Sequence, residues 1–125
     1  MVTETNKAIP AQVPNWIGGR EVPAAGHALY DKRSPCHGRV LWQVARSGAA
    51  DVEAAVQAAQ AAQPAWGETP GVERGMVLLR MVRALQDQQA AMARVVAEET
   101  GKSFKDAMGE TGGAIALGLF YASEG

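Results

Sequence analysis

The chain has 125 residues, 47% of them hydrophobic and 20% charged, which is the balance of one globular domain and excludes a disordered or fibrous protein. A formal net charge of -1 leaves no positive surplus for phosphate groups and argues against nucleic-acid binding. The polar residues 1–10 and the short apolar run at 114–122 indicate neither a signal peptide nor a membrane span, so a cytoplasmic protein without nucleic-acid or membrane partners is expected.

The first part of the chain is interpreted as an arm followed by a β-hairpin. Residues 1–14 contain two prolines and no periodic pattern, so they are predicted to be ordered only if they pack on another part of the protein. Strand-like residues 15–17 then lead into Gly18-Gly19, which supplies the positive φ angles of a two-residue turn. Residues 20–22 are the predicted return strand.

A second extended pair follows at 27–32 and 39–46, and the intervening residues 34–38 form the predicted turn because they contain Pro and Gly. Apolar side chains alternate along the later strand, which predicts one strongly apolar face, formed by Val40, Trp42 and Val44. The strands therefore extend over about 15–46 and need a covering layer. The turn also holds the single cysteine, Cys36, beside His37. Neighbours on an extended chain point to opposite sides, so this pair is interpreted as turn residues and not as a catalytic site.

Helical periodicity begins near Ser47 and predicts helices at about 49–66, 70–100 and 104–124. Pro64 is expected to distort or end the first helix. Thr69 and Pro70 are the expected N-cap and first residue of the second helix. A polar patch at 87–89 leaves two alternatives for that segment, one bent helix or two consecutive helices.

The last predicted helix lies between a glycine cap and an apolar end. Gly101 is the expected left-handed C-cap of the preceding helix, and Ser103 with Asp106 has the spacing of a capping box. Four glycines within 104–124 indicate close approach of neighbouring backbones. Because nothing follows to cover the apolar residues of this helix, the chain is predicted to be incomplete as a domain.

Several short motifs occur in order along residues 15–125: Asn15-Trp16-Ile17-Gly18-Gly19-Arg20, Ser34-Pro35 with Gly38-Arg39-Val40, Ala62-Gln63-Pro64-Ala65-Trp66, Glu73-Arg74, Glu99-Thr100-Gly101-Lys102, Gly109-Glu110 and Phe120-Tyr121-Ala122. Their joint order and spacing resemble the amino-terminal segment of the NAD(P)-dependent aldehyde dehydrogenase superfamily. The second motif departs slightly, since the family commonly has an Asn-Pro-x-x-Gly turn there.

The resemblance implies an α/β fold, with β-hairpins followed by three or four helices, in which residues 15–125 form part of a nucleotide-binding domain. In that family a cysteine thiolate attacks the aldehyde, hydride passes to NAD or NADP, and a glutamate activates water to release the acid. In family order these residues fall beyond Gly125, so no catalytic and no identifiable cofactor-binding residue is expected in this chain. Complete members are usually dimers or tetramers, which implies a homo-oligomer.

The resemblance also implies two candidate sites within the chain. Glu99 matches a position where some relatives bind a structural Na+ or K+, together with backbone carbonyls near Lys32; a salt bridge or a solvated carboxylate is the alternative. Glu110 and Ala114 match positions that line the aldehyde tunnel in relatives, and solvation of Glu110 is the alternative. Lys102 is expected to complement the carboxyl end of the preceding helix.

Two functions of different classes follow. The first is a segment of an oxidoreductase that oxidises an aldehyde, or a semialdehyde, to a carboxylic acid through a cysteine thiohemiacetal and thioester. This chain alone is then expected to be inactive. The alternative is a natural short, non-catalytic binding or assembly module, whose exposed Leu117, Phe120 and Tyr121 form a partner surface. A self-contained three-helix bundle leaves the early strands unexplained.

Overall fold

The computed structural model describes residues 9–124, and the chain divides into two compact units, Met1–Gly67 and Glu68–Gly125. The first unit contains strands and one long helix: β1 (Gln12–Val13), β2 (Asn15–Ile17), β3 (Arg20–Val22), a 3₁₀ turn (Ala25–His27), β4 (Leu29–Arg33), β5 (Val40–Ala45) and α1 (Ala49–Glu68). The second unit is helical: α2 (Gly71–Asp87), α3 (Gln89–Thr100) and α4 (Phe104–Glu124). The predicted α/β class, with small sheets followed by helices, is confirmed.

Strands β2 and β3 form the predicted antiparallel hairpin. Trp16 pairs with Glu21, and Ile17 pairs with Arg20. Gly18 and Gly19 both have positive φ, 61° and 77°, which is the requirement of the tight turn that matches strand twist. This turn also lies near α1, because a Cβ built at Gly18 would lie 3.9 Å from the Cβ of Ala58.

The other strands form a three-stranded sheet in the order β1-β5-β4, with β1 parallel and β4 antiparallel to β5. Gln12 pairs with Gln43 at the parallel edge, so the end of the predicted arm over 1–14 is a short strand. Residues 1–8 of that arm lie outside the described residues. The first predicted strand of the pair starts too early at His27, because His27 ends the 3₁₀ turn with its amide donating to the carbonyl of Ala24 at 2.8 Å.

Burial in β5 does not follow one face as predicted. Trp42 and Ala45 are the buried residues, each 8% exposed, and they lie three positions apart, on opposite faces of a regular strand. Val40 was predicted to share the buried face but is 44% exposed. A register shift at Lys32/Arg33 of β4 separates Val40 from the regular pairing that begins at Trp42.

Helix α1 continues through Pro64 and ends at Glu68, two residues beyond the prediction. Proline removes one amide donor, but the remaining backbone hydrogen bonds of this long helix maintain it for one more turn after Pro64. Asp51 is the one α1 residue that is buried among those described, and Val52 and Val56 are exposed.

In the helical unit, α2 and α3 are separate helices, which decides between the two alternatives for 70–100. The break falls at Gln88, with φ -108° and ψ 9°. Helix α2 begins at Gly71, one residue later than predicted, because Pro70 has the extended ψ of 143° and occupies the N-cap position. Gly101 has φ 77° and is the predicted left-handed cap of α3.

The core of this unit is built from small side chains. The buried residues are Gly75, Val82, Ala93, Ala107, Thr111 and Ile115. Gly118 of α4 lies so close to Val82 of α2 that a methyl group added at Gly118 would overlap the Cγ2 atom of Val82. Glycine thus permits the close crossing of α2 and α4 that the glycine-rich sequence indicated. Within residues 9–124, none of the helices is long and apolar enough to cross a bilayer.

Candidate functional site

The two predicted tunnel residues lie on one exposed flank of α4. Glu110, Ala114, Leu117 and Tyr121 are four, three and four positions apart, so they share one side of the helix, and we call this set the α4 stripe. Leu117 is 60% and Tyr121 58% exposed within this chain. The stripe therefore has a carboxylate at its beginning and an apolar surface along the rest, about 16 Å in all at the helical rise per residue.

Lys102 lies at the beginning of the stripe and forms an ion pair with Glu110, Nζ to Oε1. The Lys102 side chain is 29% exposed and that of Glu110 is 56% exposed, so the lysine is the less hydrated partner. The sequence predicted only that Lys102 complements the end of the preceding helix. The pair was missed because the two residues are eight positions apart, and their contact depends on the conformation of the loop before α4.

The loop that carries Lys102 is fixed on both sides. Before it, Gly101 caps α3 and donates its amide to the carbonyl of Ala97 at 2.9 Å. After it, the Ser103 hydroxyl accepts from the amide of Asp106 at 3.1 Å and donates to the Asp106 carboxylate at 2.7 Å. This is the helix-capping half of the predicted box. Two helix caps thus set the position of the backbone at Lys102.

A cation–π contact lies near the loop between α3 and α4. The guanidinium carbon of Arg94 lies 5.7 Å from the centre of the Phe104 ring, which joins α3 to the first turn of α4. The sequence reasoning did not single out this pair. Its signal was weak, because a helix arginine and an aromatic residue ten positions later show no fixed periodic relation.

Glu99 lies half-buried in the last turn of α3, and Lys32 lies half-buried in β4, in the other compact unit. A carboxylate is an oxygen donor that hard cations take, and the binding of Na+ or K+ at Glu99 stays a prediction. Among residues 9–124, no cluster of three or more His, Cys, Asp or Glu side chains has the arrangement of a metal site.

Cys36 and His37 are both exposed in the β4-β5 turn. The Cys36 amide donates to the Ser34 hydroxyl at 3.3 Å. His37 Nδ1 accepts from the amide and from Nε of Arg39, at 3.2 and 3.4 Å. These are the short-range hydrogen bonds of a turn, and they fit the interpretation of both residues as turn residues.

The family model for the aldehyde dehydrogenase family matches residues 22–125. The chain belongs to the aldehyde dehydrogenase family, and it corresponds to an amino-terminal segment of that family.

Named relatives agree with this assignment. An aldehyde dehydrogenase of Deinococcus radiodurans is 37% identical over 94 residues, 75% of this chain and 18% of that protein. An N-succinylglutamate 5-semialdehyde dehydrogenase of Escherichia coli is 41% identical over 87 residues, 70% of this chain and 18% of that protein. The chain thus spans about a fifth of the length of these curated relatives.

Solved structures show the same relation. An NAD-dependent aldehyde dehydrogenase from Sinorhizobium meliloti superposes with a TM-score of 0.88 at 29% identity, over 93% of this chain and 24% of that one. A putative aldehyde dehydrogenase from Burkholderia cenocepacia gives 0.88 at 32% identity, over 91% and 24%. The fold of this segment is therefore that of the matching quarter of a longer dehydrogenase.

Proposed function

We propose that this chain is a segment of an oxidoreductase that converts an aldehyde, or a semialdehyde, to a carboxylic acid with NAD or NADP. The observation that carries the proposal is the superposition of nearly the whole segment on NAD-dependent aldehyde dehydrogenase. Relatives that act on semialdehydes support the finer substrate class. The thiolate that forms the thiohemiacetal and thioester, and the residues that bind NAD or NADP, lie in parts of the enzyme outside this chain.

Within the segment, the proposed role is to form one wall of the aldehyde tunnel. Glu110 and Ala114 face the same way from α4, and both are exposed in this chain, which leaves them open to a substrate. The small side chain of Ala114 leaves the tunnel wide at this point. The Lys102 ion pair keeps the charge of Glu110 compensated within that wall.

The test uses the polypeptide encoded by the complete reading frame that contains this chain. Its intact mass is measured, and reduction of NAD+ and of NADP+ is followed with a panel of aldehydes and semialdehydes. A mass several times 13.1 kDa with aldehyde-dependent reduction is expected. Sedimentation of the same sample tests the further proposal of a homodimer or homotetramer.

A short, non-catalytic assembly module is the second candidate, and the exposure of Leu117, Phe120 and Tyr121 favours it. Apolar surface of this kind marks a place where another chain or another part of the same chain packs. A 13.1 kDa gene product without activity, bound to a larger protein in its host, supports the module and rules out the enzyme.

We also propose that Glu99 helps to bind a structural Na+ or K+. If so, replacing both ions by a large organic cation lowers the melting temperature of the complete polypeptide, and the Glu99→Gln variant shows little further change on replacement. The matched control is Glu98→Gln, at the neighbouring half-buried position of α3, which keeps the ion effect. Equal melting temperatures with and without the ions contradict the proposal.

A further inference from the structure

We propose that Asp31 is a positioning residue that fixes the end of the arm, residues 11–13, on the three-stranded sheet through a relay of hydrogen bonds. The relay runs from the β4–β5 turn across β4 and β5 to β1, and its members are Gly38, Arg33, Asp31, Gln43 and Gln12. All of them lie in the first compact unit, so the inference concerns a conformational device of that unit and is independent of the proposed function.

The first step is the register, which places three members of the relay opposite one another. Gln43 of β5 is paired with Gln12 of β1 on one side and with Asp31 of β4 on the other. The amide of Arg46 donates to the carbonyl of Ala28 at 2.8 Å, and hydrogen-bonded pairs alternate with non-hydrogen-bonded pairs in an antiparallel ladder. Asp31 and Gln43 are therefore a non-hydrogen-bonded pair, whose side chains approach closely.

The second step is the direction of the hydrogen bonds, which the carboxylate of Asp31 sets. A carboxylate only accepts, so Gln43 turns its amide nitrogen towards Asp31, with Nε2 and Oδ1 3.2 Å apart. The oxygen of the same side-chain amide, Oε1, then faces β1 and accepts from Nε2 of Gln12 at 3.4 Å. The charge on β4 thus determines which end of the Gln43 side chain meets the arm.

The third step is the orientation of the carboxylate, which Arg33 holds from the other side. Arg33 Nη2 lies 2.7 Å from Asp31 Oδ2, and Nη1 donates to the carbonyl of Gly38 in the turn at 3.2 Å. The Asp31 side chain is 35% exposed, so this ion pair contributes little free energy by itself. Its effect is orientation, because a carboxylate held through one oxygen presents the other oxygen to Gln43.

The last step is the arm itself, which has few other means of keeping its register. Strand β1 has two residues, and next to them the amide of Gln43 donates to the carbonyl of Ala11 at 2.9 Å. A slip by one residue along β5 would move the half-buried Val13 to the polar face of the relay. Gln12, Val13 and Pro14 also form one wall of an open cavity of about 250 Å³, so the relay sets the shape of that cavity.

The experiment measures hydrogen exchange at two amides of the complete polypeptide. The Gln43 amide reports the docking of the arm, and the Arg46 amide, bound to the carbonyl of Ala28, reports the pairing of β5 with β4. We expect Asp31→Val to raise the exchange rate of the Gln43 amide about fivefold, the loss typical of one hydrogen bond, and to leave the Arg46 amide unchanged. Because valine suits a strand, the change reports the lost acceptor and not a lower strand propensity.

Two more variants distinguish a relay from separate local contacts. Asp31→Asn keeps an acceptor for Gln43 and is expected to retain most of the protection. Gln12 and Asp31 lie two strands apart, roughly 10 Å, and none of the hydrogen bonds described for residues 9–124 joins them directly. In a relay, Gln12→Ala therefore raises the exchange rate of the Gln43 amide by a smaller factor in Asp31→Val than in the unaltered chain.

Arg39→Ala is the matched control for Arg33→Ala, because both arginines flank the β4–β5 turn and the side-chain bond described for Arg39 goes to His37. Arg33→Ala should raise exchange of the Gln43 amide about twofold, as for an exposed ion pair, and Arg39→Ala should not. An unchanged Gln43 amide in Asp31→Val would overturn the inference. Equal acceleration of the Gln43 and Arg46 amides, or independent effects of Gln12→Ala and Asp31→Val, would overturn it as well.

Discussion

Asp51 joins the beginning of α1 to the turn before β4. Its Oδ1 accepts from the amide of Ala25 and its Oδ2 from the amide of Gly48, both at 2.8 Å, and the residue is 8% exposed. Asp51 is the acidic residue in the first turn of α1, where the helix dipole favours a negative charge. The bond to Ala25, 26 positions away, depends on tertiary structure and had no sequence signal.

Replacing Asp51 by Ala leaves two amide groups without their acceptor in a partly buried place. We expect the free energy of unfolding to fall by about 1–3 kcal/mol, as for a lost cap with an unsatisfied donor. Hydrogen exchange at Ala25 and Gly48 in the complete polypeptide measures this locally. Glu53→Ala is the control, since Glu53 bonds only to exposed Gln57 among the hydrogen bonds described for it, and unchanged exchange in Asp51→Ala would contradict the role.

For the site residues too, the sequence indicates helix faces but not contacts between elements. Glu110 and Ala114 could be placed on one helix face from their spacing alone. The partner of Glu110 could not, because helix periodicity says nothing about a residue in the preceding loop. Lys102 became part of the candidate site only when the conformation of the loop before α4 was known.

At the scale of elements, local signals predicted helix and turn positions well where a residue has a special backbone requirement. Gly18, Gly19 and Gly101 all have the positive φ angles that their positions in the sequence indicated. Pro64 was a weaker guide, because one proline within a long helix removes a bond without ending it. The break at Gln88 was one of two alternatives that a polar patch alone does not separate.

Strand β1 illustrates what local patterns miss. It has two residues and pairs in parallel with β5, about thirty positions later, as the Gln12 to Gln43 register shows. So short a segment has no detectable alternation, and a parallel partner far along the chain leaves no turn signal. The start of β4 was misplaced for a related reason, since the 3₁₀ turn at Ala25–His27 has no strong sequence signature.

The crossing of α2 and α4 gives a prediction of its own. Gly118→Ala is expected to destabilise the protein by about 1–3 kcal/mol, because the new methyl group overlaps Val82. Gly113→Ala is the matched control within the same helix: a Cβ there meets no atom within 4 Å, so the better helix propensity of Ala predicts a gain of about 0.5–1 kcal/mol.

Chemical denaturation of the complete polypeptide measures both changes. The double variant Gly118→Ala with Val82→Ala separates steric overlap from a loss of helix stability, because it removes the overlapping methyl groups of Val82. We expect its loss to be smaller than the sum of the two single losses. Additive losses, or a stabilising Gly118→Ala, would show that the two helices do not approach as closely as the structure has them.

At the scale of the whole molecule, the chain is about a fifth of the length of its curated relatives, and part of its apolar surface is open. Leu117, Leu119, Phe120 and Tyr121 are all exposed on α4, with the Phe120 and Tyr121 rings in edge contact at 5.3 Å. The sequence predicted this open apolar end, and the segment covers 24% of a solved relative.

Expressed alone, the 125-residue chain is therefore expected to self-associate through α4. Sedimentation velocity over a range of concentrations measures the association. Leu117→Ser and Phe120→Ser should reduce it, whereas Lys105→Ser, a change of an exposed polar residue of the same helix, should not. A chain that remains monomeric at high concentration would refute this expectation.

The central claim is that the enzyme to which this segment belongs takes hydride from an aldehyde carbon. The most direct measurement supplies the complete polypeptide with an aldehyde deuterated at that carbon, and determines the mass of the reduced dinucleotide. The account predicts one deuterium in NADH or NADPH and an equal amount of carboxylic acid. Reduced dinucleotide without deuterium, or no reduction with any aldehyde or semialdehyde, would contradict it.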